Sequence, residues 1–155
     1  QIAHLGIAVF VIGVTMVGAY QEEKDVRMLA GDTVSVGGYQ IQLEGVEQVP
    51  GPNYQAMRGT FTLSKNGATQ AILYPEKRNY FSSTMPMTEA AIDIGLTRDL
   101  YVSLGEELGD KAWAVRVYYK PFVDWIWGGC LLMALGGILA MMDKRYRMKL
   151  KKASS

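Results

Sequence analysis

The chain has 155 residues, of which 49% are hydrophobic, and its 16 Lys and Arg residues nearly balance its 15 Asp and Glu residues. A single His and a single Cys exclude an intrachain disulfide and any zinc site built from several imidazoles or thiolates. The net charge of +1 hides an asymmetry. Two apolar stretches enclose a polar central region, and a basic tail follows the second stretch.

The first apolar stretch, Ile2–Tyr20, carries no formal charge. A helix needs about 20 apolar residues to cross the hydrocarbon core of a bilayer, so we predict a transmembrane helix. A secretory signal peptide is the alternative, because the small residues of Val17–Ala19 suit cleavage. The stretch exceeds the usual signal-peptide core of about 7–15 residues and follows no basic segment, which favours the span. Since the chain begins with Gln, we expect it to be part of a longer or processed protein.

His4 is the one ionisable side chain of note in this stretch. A histidine inside a membrane helix is costly and indicates a functional site. On a helix, Ala8, Val11 and Thr15 share a face with His4, and imidazole is a good axial ligand for haem iron. The alternative is a histidine that bonds to a neighbouring helix or to interfacial water. The residues alone leave both interpretations open.

Residues 21–121 predict a small antiparallel all-β domain, either a sandwich or a barrel, because turn signals recur every 8–12 residues. Asn66-Gly67 is a type I′ hairpin signal, and Pro50-Gly51-Pro52 predicts a loop. Glu22–Leu29 could extend the first helix outward, and Met87–Ile94 fits either a helical turn or a strand. The predicted strands are Thr33–Val36, Tyr39–Val46, Tyr54–Leu63, Ala71–Tyr74, Leu100–Leu104 and Ala112–Tyr119, the last with Trp113, Val115, Val117 and Tyr119 on one face.

Phe122–Met142 is the second apolar stretch, with Asp124 as its one formal charge, and it also predicts a transmembrane helix. Small residues let helix backbones approach each other closely. Two sets of small residues therefore predict packing against other helices: Cys130, Ala134 and Gly137 on one face, and Gly136 with Ala140.

The charges around the two spans predict the orientation. Residues 143–155 carry six basic side chains against Asp143, whereas residues 21–121 carry 10 basic and 13 acidic side chains. Basic flanks favour the cytoplasmic side, and Trp125 and Trp127 fit an aromatic belt at the outer interface. We therefore expect a cytoplasmic C-terminus and a periplasmic central domain. The basic charge of a tail directly after a span is explained by its role in setting the topology and by contact with anionic lipid. Nucleic acid is therefore not an expected partner.

The central region has no His or Cys, so zinc, thiolate and Ser-His chemistry are excluded there. Two charged segments, Glu76–Tyr80 and Glu89–Asp93, predict loops. Their ordinary interpretation is a solvated surface with weak ion pairs, and the alternative is a surface that contacts a partner. Arg78 is the best single candidate, because its planar fork can bind a carboxylate or a haem propionate. The other candidates are Glu76, Lys77, Tyr80, Glu89 and Asp93.

Six segments of the chain are long and unusual in sequence: AHLG at Ala3–Gly6, PEKRNY at Pro75–Tyr80, MTEAAID at Met87–Asp93, RDLYVSLGE at Arg98–Glu106, Trp113–Gly129 and DKRYR at Asp143–Arg147. Together they resemble the C-terminal part of the CcmF family, the haem lyases of bacterial cytochrome c maturation system I. The paralogous NrfE lyases, which serve nitrite reductase, are the alternative within this group. The Trp-rich haem-handling segment and the external histidine pair of these polytopic proteins lie upstream of the matching part.

The resemblance implies that His4 is an axial ligand of a membrane b haem, because a histidine in an AHLG setting has that role in the family. The second ligand would come from outside this chain. Quinol would reduce this haem, which would pass electrons towards a haem at the outer face before that haem reacts with the CXXCH thiols of apocytochrome c. The implied partners are the rest of the parent protein, the haem chaperone CcmE, a CcmH-type thiol-presenting subunit and apocytochrome c.

A non-enzymatic docking module on two membrane anchors is the alternative from a different class. In either case the expected architecture is a membrane protein fragment with two transmembrane α-helices that flank a small antiparallel all-β periplasmic domain. The expected location is the bacterial inner membrane, within a multi-pass protein. The predicted parts are a helix at 1–20, the β domain at 21–121, a helix at 122–142 and the cytoplasmic tail at 143–155.

Overall fold

The computed structural model describes residues 1–142, so the predicted cytoplasmic tail lies outside the described residues. The chain divides into two compact units. Of the described residues, the helical unit contains residues 1–20, the short segment 96–98 and residues 121–142. The β unit contains residues 21–95 and 99–120.

The helical unit is built from α1 (Ile2–Tyr20) and α2 (Val123–Met142). Both helices are long and apolar enough to cross a membrane. They pack in antiparallel fashion, since Gly136 near the end of α2 meets Ala3, and Ile126 near its start meets Gly13.

Glycines bring the two helix backbones into direct contact. A Cβ atom on Gly129 would lie 2.6 Å from the backbone nitrogen of Phe10, and one on Gly136 would lie 2.6 Å from that of Ala3. The prediction that α2 packs through small residues is confirmed for Gly136, whereas its predicted companion Ala140 is exposed. The predicted stripe of Cys130, Ala134 and Gly137 does not form this contact: Ala134 and Gly137 are exposed, Cys130 is half-buried, and a Cβ on Gly137 meets nothing within 4 Å.

The β unit is an antiparallel sandwich, which is one of the two predicted arrangements. One sheet has the strand order β1-β10-β9-β8, and the other has the order β2-β3-β4-β6-β7, with β5 also paired to β4. The strands are β1 Glu22–Met28, β2 Thr33–Val36, β3 Tyr39–Pro50, β4 Tyr54–Lys65, β5 Ala68–Leu73, β6 Glu76–Tyr80, β7 Met87–Glu89, β8 Ala91–Gly95, β9 Arg98–Glu107 and β10 Trp113–Pro121.

Alternate residues of the two sheets form the core. The predicted face of β10 is confirmed, because Trp113, Val115 and Val117 are buried and Tyr119 packs against their cluster. The Asn66-Gly67 turn is also confirmed: both residues have the positive φ angles, 53° and 79°, that a type I′ turn requires. The largest fully buried side chains include Phe61, Met28, Ile41, Leu43, Leu63, Leu100 and Leu104.

The helical extension predicted at Glu22–Leu29 is wrong, since this segment forms β1. Glu22 to Met28 pair with Tyr119 to Trp113 of β10. Met28 points into the core, while Asp25 on the opposite face receives two hydrogen bonds from Arg116 of β10, at 2.6 and 2.8 Å. The charged side chains therefore stabilise a strand across the sheet.

The loops predicted at Glu76–Tyr80 and Glu89–Asp93 are also wrong. Glu76–Tyr80 is β6 and pairs with Tyr54–Arg58 of β4. Met87–Glu89 and Ala91–Gly95 are short strands in different sheets, so the chain passes from one sheet to the other at Ala90. The interpretation of Met87–Ile94 as a strand is confirmed. Pro50 ends β3, so the loop predicted at 50–52 begins at Gly51.

Candidate functional site

His4 lies on the face of α1 that is turned away from α2. Ala3 and Gly6, on either side of it in sequence, meet α2. His4 itself is exposed. The predicted companions on its face, Ala8, Val11 and Thr15, are exposed as well. The contact between the two helices therefore leaves this face of α1 free for another element.

An exposed imidazole is a side chain that could bind a metal from outside the helix pair. Ala8, one turn further along α1, adds only a methyl group beside it, which lets a flat group approach. Within residues 1–142, no group of three or more His, Cys, Asp and Glu side chains could hold a metal ion. Because the chain has one His, a site with two imidazole ligands would need the second from outside this chain.

A second candidate site surrounds the buried carboxylate of Glu76 on β6. Glu76 is 6% exposed. Its Oε1 accepts a hydrogen bond from Nε of Arg58 at 2.7 Å, and its Oε2 accepts one from Nε of Arg78 at 2.8 Å. Nη1 of Arg78 lies 3.4 Å from Glu89 on β7. We call these four residues the Glu76 cluster.

The two guanidinium groups keep Glu76 ionised. Burial alone would raise the pKa of this carboxyl, but the hydrogen bonds from Arg78 and Arg58 outweigh burial and lower the pKa below its ordinary value. The hydrogen bond between Arg78 and Glu76 also raises the pKa of Arg78. The cluster is a fixed ion network rather than a proton donor or acceptor at neutral pH.

Two tyrosines complete this surface. The Arg78 guanidinium lies 4.8 Å from the centre of the Tyr54 ring, within the range of a cation–π interaction. The rings of Tyr54 and Tyr80 are 5.2 Å apart, and these residues are direct partners in the β4–β6 register. Phe61 and Leu63 of β4 point into the core. By alternation Tyr54 points to the opposite face of the sheet, so the Glu76 cluster lies on the outer face.

The structure brings together four of the residues predicted from the charged segments, namely Glu76, Arg78, Tyr80 and Glu89. Lys77 points to the other side of β6 and pairs with Glu106 of β9 at 3.1 Å. Asp93 lies on β8 of the other sheet.

The sequence interpretation missed Tyr54 and Arg58. The available signal was their spacing of four residues in a predicted strand, which places both on one face. That spacing did not identify β6 as the neighbouring strand, so it did not connect Tyr54 and Arg58 with Glu76.

An apolar helix pair and an antiparallel β sandwich define a class of protein with a sandwich inserted between two potential membrane spans. The chain belongs to the CcmF family, because the family described as CcmF C-terminal beta-sandwich matches residues 19–121. The resemblance predicted from the sequence is thereby confirmed.

The curated relatives agree with this assignment. The chain is 54% identical over 151 residues to the cytochrome c-type biogenesis protein CcmF of Pseudomonas aeruginosa, covering 97% of this chain and 23% of that protein. It is 51% identical over 145 residues to CcmF of Escherichia coli, covering 94% and 22%. NrfE of Haemophilus influenzae is 35% identical over 144 residues, covering 93% and 23%.

A solved structure has the same fold. The cytochrome c haem lyase CcmF matches with a TM-score of 0.72 at 19% identity, covering 92% of this chain and 24% of that one. The chain therefore spans about a quarter of the length of the relatives that it matches.

Proposed function

We propose that this chain is the C-terminal part of a bacterial cytochrome c haem lyase and that His4 is one axial ligand of a b haem within the membrane. The observation that carries the proposal is the position of His4 on the face of α1 turned away from α2. That face is open to another helix of the parent protein, which would supply the second ligand. The names of the relatives support the reaction class.

The chemistry supplied at this position would be one-electron transfer from quinol towards the haem that becomes attached to the CXXCH thiols of apocytochrome c. His4 would bind the iron through one ring nitrogen and would take no part in forming the thioether bonds. Ala8 would leave room for the edge of the macrocycle. Among the described residues, none is assigned a role in the attachment chemistry.

The proposed topology places both helices across the bacterial inner membrane. The β domain would lie in the periplasm, and the basic tail would lie in the cytoplasm. Tyr20 is sixteen positions after His4, which at 1.5 Å per residue is about 24 Å along α1. His4 would therefore lie near the cytoplasmic side of the membrane.

The test replaces His4 with Ala in the intact parent protein. We expect haem content to fall and the haem absorption spectrum to change, because one axial ligand is lost. His4→Gly with added imidazole should restore part of the signal. Thr15→Ala, on the same face about 16 Å further along α1, is the matched control and should leave the spectrum unchanged. A His4→Ala protein with full haem content, an unchanged spectrum and normal cytochrome c yield would contradict the proposal.

The second candidate function is partner docking, and the outer face around the Glu76 cluster favours it. Arg78 is held between Glu76 and the Tyr54 ring, so it would lose little side-chain freedom on binding. We propose that this surface contacts the haem chaperone CcmE, the CcmH-type subunit or another part of the parent protein. This role is compatible with the first within one protein.

Arg78→Ala in the intact parent protein tests the docking surface. We expect reduced recovery of CcmE or the CcmH-type subunit in a pull-down, together with a lower yield of cytochrome c. Arg116→Ala is the matched control, because Arg116 is also a carboxylate-paired arginine but lies on the other sheet. Equal recovery of both partners with the two variants would leave the Glu76 cluster with a purely structural role.

A further inference from the structure

The turn between β8 and β9 is attached to the start of α2. Residues 96–98 belong to the helical unit, although strands of the β unit precede and follow them. The carbonyl of Thr97 accepts a hydrogen bond from the Phe122 backbone N–H at 2.9 Å. The carbonyl of Leu96 accepts one from the indole N–H of Trp125 at 3.1 Å. We call Leu96, Thr97, Phe122 and Trp125 the hairpin latch.

The latch depends on an unusual backbone conformation. Phe122 has a φ angle of 57°, in the left-handed region that bulky residues rarely occupy. Its carbonyl accepts a hydrogen bond from the Trp125 backbone N–H at 3.2 Å, and the two rings meet edge to face with centroids 5.2 Å apart. Several contacts therefore stabilise a strained residue at the junction between β10 and α2, as is typical of functional positions.

The tip of the turn presents a large apolar side chain. Leu96 is 84% exposed, although its backbone is fixed by Trp125. Trp127, in the same helix turn as Trp125, is 68% exposed. A single exposed leucine carries little information. Here, however, the leucine is hydrogen-bonded to the first turn of an apolar helix of 20 residues that is long enough to cross a membrane.

We propose that the Leu96 tip is a lipid anchor that inserts into the boundary between headgroups and acyl chains on the periplasmic side. This inference rests on the proposed placement of α2 across the membrane. Tryptophans at the end of a span lie at that boundary, where the ring is in an apolar medium and the N–H finds a polar partner. Leu96 supplies that partner through its carbonyl, so its backbone lies directly beside the Trp125 ring.

The test measures contact with lipid directly in the intact parent protein. The Leu96→Cys variant is made in a Cys130→Ala background with the parent's other cysteines replaced. A fluorophore is attached at position 96, and the protein is placed in phosphatidylcholine nanodiscs. Lipids with a nitroxide on the fifth acyl carbon act as the quencher. Leu108→Cys is the matched control: it is an exposed leucine after the far end of β9, about 30 Å along that strand. Leu131→Cys, midway along α2 and 72% exposed, reports whether α2 is in the bilayer.

We expect quenching at position 96 to be at least about threefold greater than at position 108. Trp125→Phe keeps the ring but removes the indole donor, and it should reduce quenching at position 96 without changing it at position 131. Only samples with the wild-type elution volume on gel filtration are compared, so that a folding defect is not read as a loss of lipid contact.

Equal, weak quenching at positions 96 and 108, with strong quenching at position 131, would overturn the lipid anchor and leave the proposed membrane placement intact. Access of iodide to position 96 would then indicate exposure to water, and protection from iodide would indicate cover by protein. Weak quenching at position 131 would overturn the membrane placement itself. An unchanged signal in Trp125→Phe would overturn the role of the latch.

Discussion

Glu76 illustrates how a charged residue becomes part of a buried site. In the sequence it stands in a run of charges that is typical of a solvated surface. In the fold it is 6% exposed and receives hydrogen bonds from two arginines. Breaking one partner of such a network leaves uncompensated charges, and this penalty is larger than the net value of the network.

Replacing Glu76 with Gln should destabilise β4 and β6 locally by about 2 kcal/mol, because hydrogen bonds to a charged group are lost at nearly constant side-chain volume. Hydrogen exchange of the amides of these strands in the intact protein measures the effect. Glu106→Gln is the control, since Glu106 is exposed and its pair with Lys77 should contribute only about 0–1 kcal/mol. Equal effects of the two variants would contradict the importance of burial.

The lowered pKa of Glu76 also predicts a pH dependence. Its ordinary value is 4.5, so the stabilisation from its ionised form is fully present above that pH. The stabilisation is lost as the pH falls through the lower pKa of the folded protein. Exchange protection of β6, corrected for intrinsic rates, should therefore decrease below pH 4.5 in the wild type. The Glu76→Gln protein should lack this component, and an identical acid profile would contradict the assignment.

At the scale of the element, the alternation of apolar and polar residues predicted the strands that line the core. It did not predict the strands that are rich in charged residues. The alternation in Ala112–Tyr119 and the Asn66-Gly67 turn have direct local causes, so both were predictable. Glu22–Met28 and Glu76–Tyr80 become strands because a neighbouring strand provides oppositely charged partners, Arg116 in one case and Arg58 in the other. Such partners are distant in sequence, and local pattern does not identify them.

The same limit applies to the helix pair. Small residues in α2 predicted close packing, but several stripes of small residues compete on an apolar helix, and only the partner helix decides between them. Gly129 and Gly136 have the contact, whereas the Cys130 stripe does not. His4 was identifiable because it is the only histidine of the chain, while its orientation relative to α2 required the fold.

Gly136→Leu should separate α1 and α2, because even a Cβ atom would lie 2.6 Å from the backbone nitrogen of Ala3. We expect a loss of about 1–3 kcal/mol, as for other overpacked contacts, seen as a lower melting temperature of the intact protein in detergent. Gly137→Leu is the matched control, since a Cβ there meets nothing within 4 Å. A comparable loss for the control would indicate a general effect of leucine in this helix.

At the scale of the whole molecule, acidic and basic residues are concentrated in different parts of the chain. Residues 21–121 are acidic overall and fold as a sandwich, whereas the tail is strongly basic. The chain has a single histidine, so it cannot form a site with two imidazole ligands by itself. It also covers only about a quarter of the length of its relatives. The fold is therefore separable from the proposed activity, which needs residues from the rest of the parent protein.

The different charges of the β domain and the tail predict that they lie on opposite sides of the membrane. In a Cys130→Ala background with the parent's other cysteines replaced, Ala68→Cys reports on the β domain, where position 68 is exposed, and Ser154→Cys reports on the tail. Intact spheroplasts are treated with a membrane-impermeant maleimide. Position 68 should react at once and position 154 only after permeabilisation, because basic flanks are retained in the cytoplasm. The reverse order would invert the topology and move His4 towards the periplasmic side. Reaction at both positions would mean that α1 and α2 do not separate the domain from the tail by a membrane.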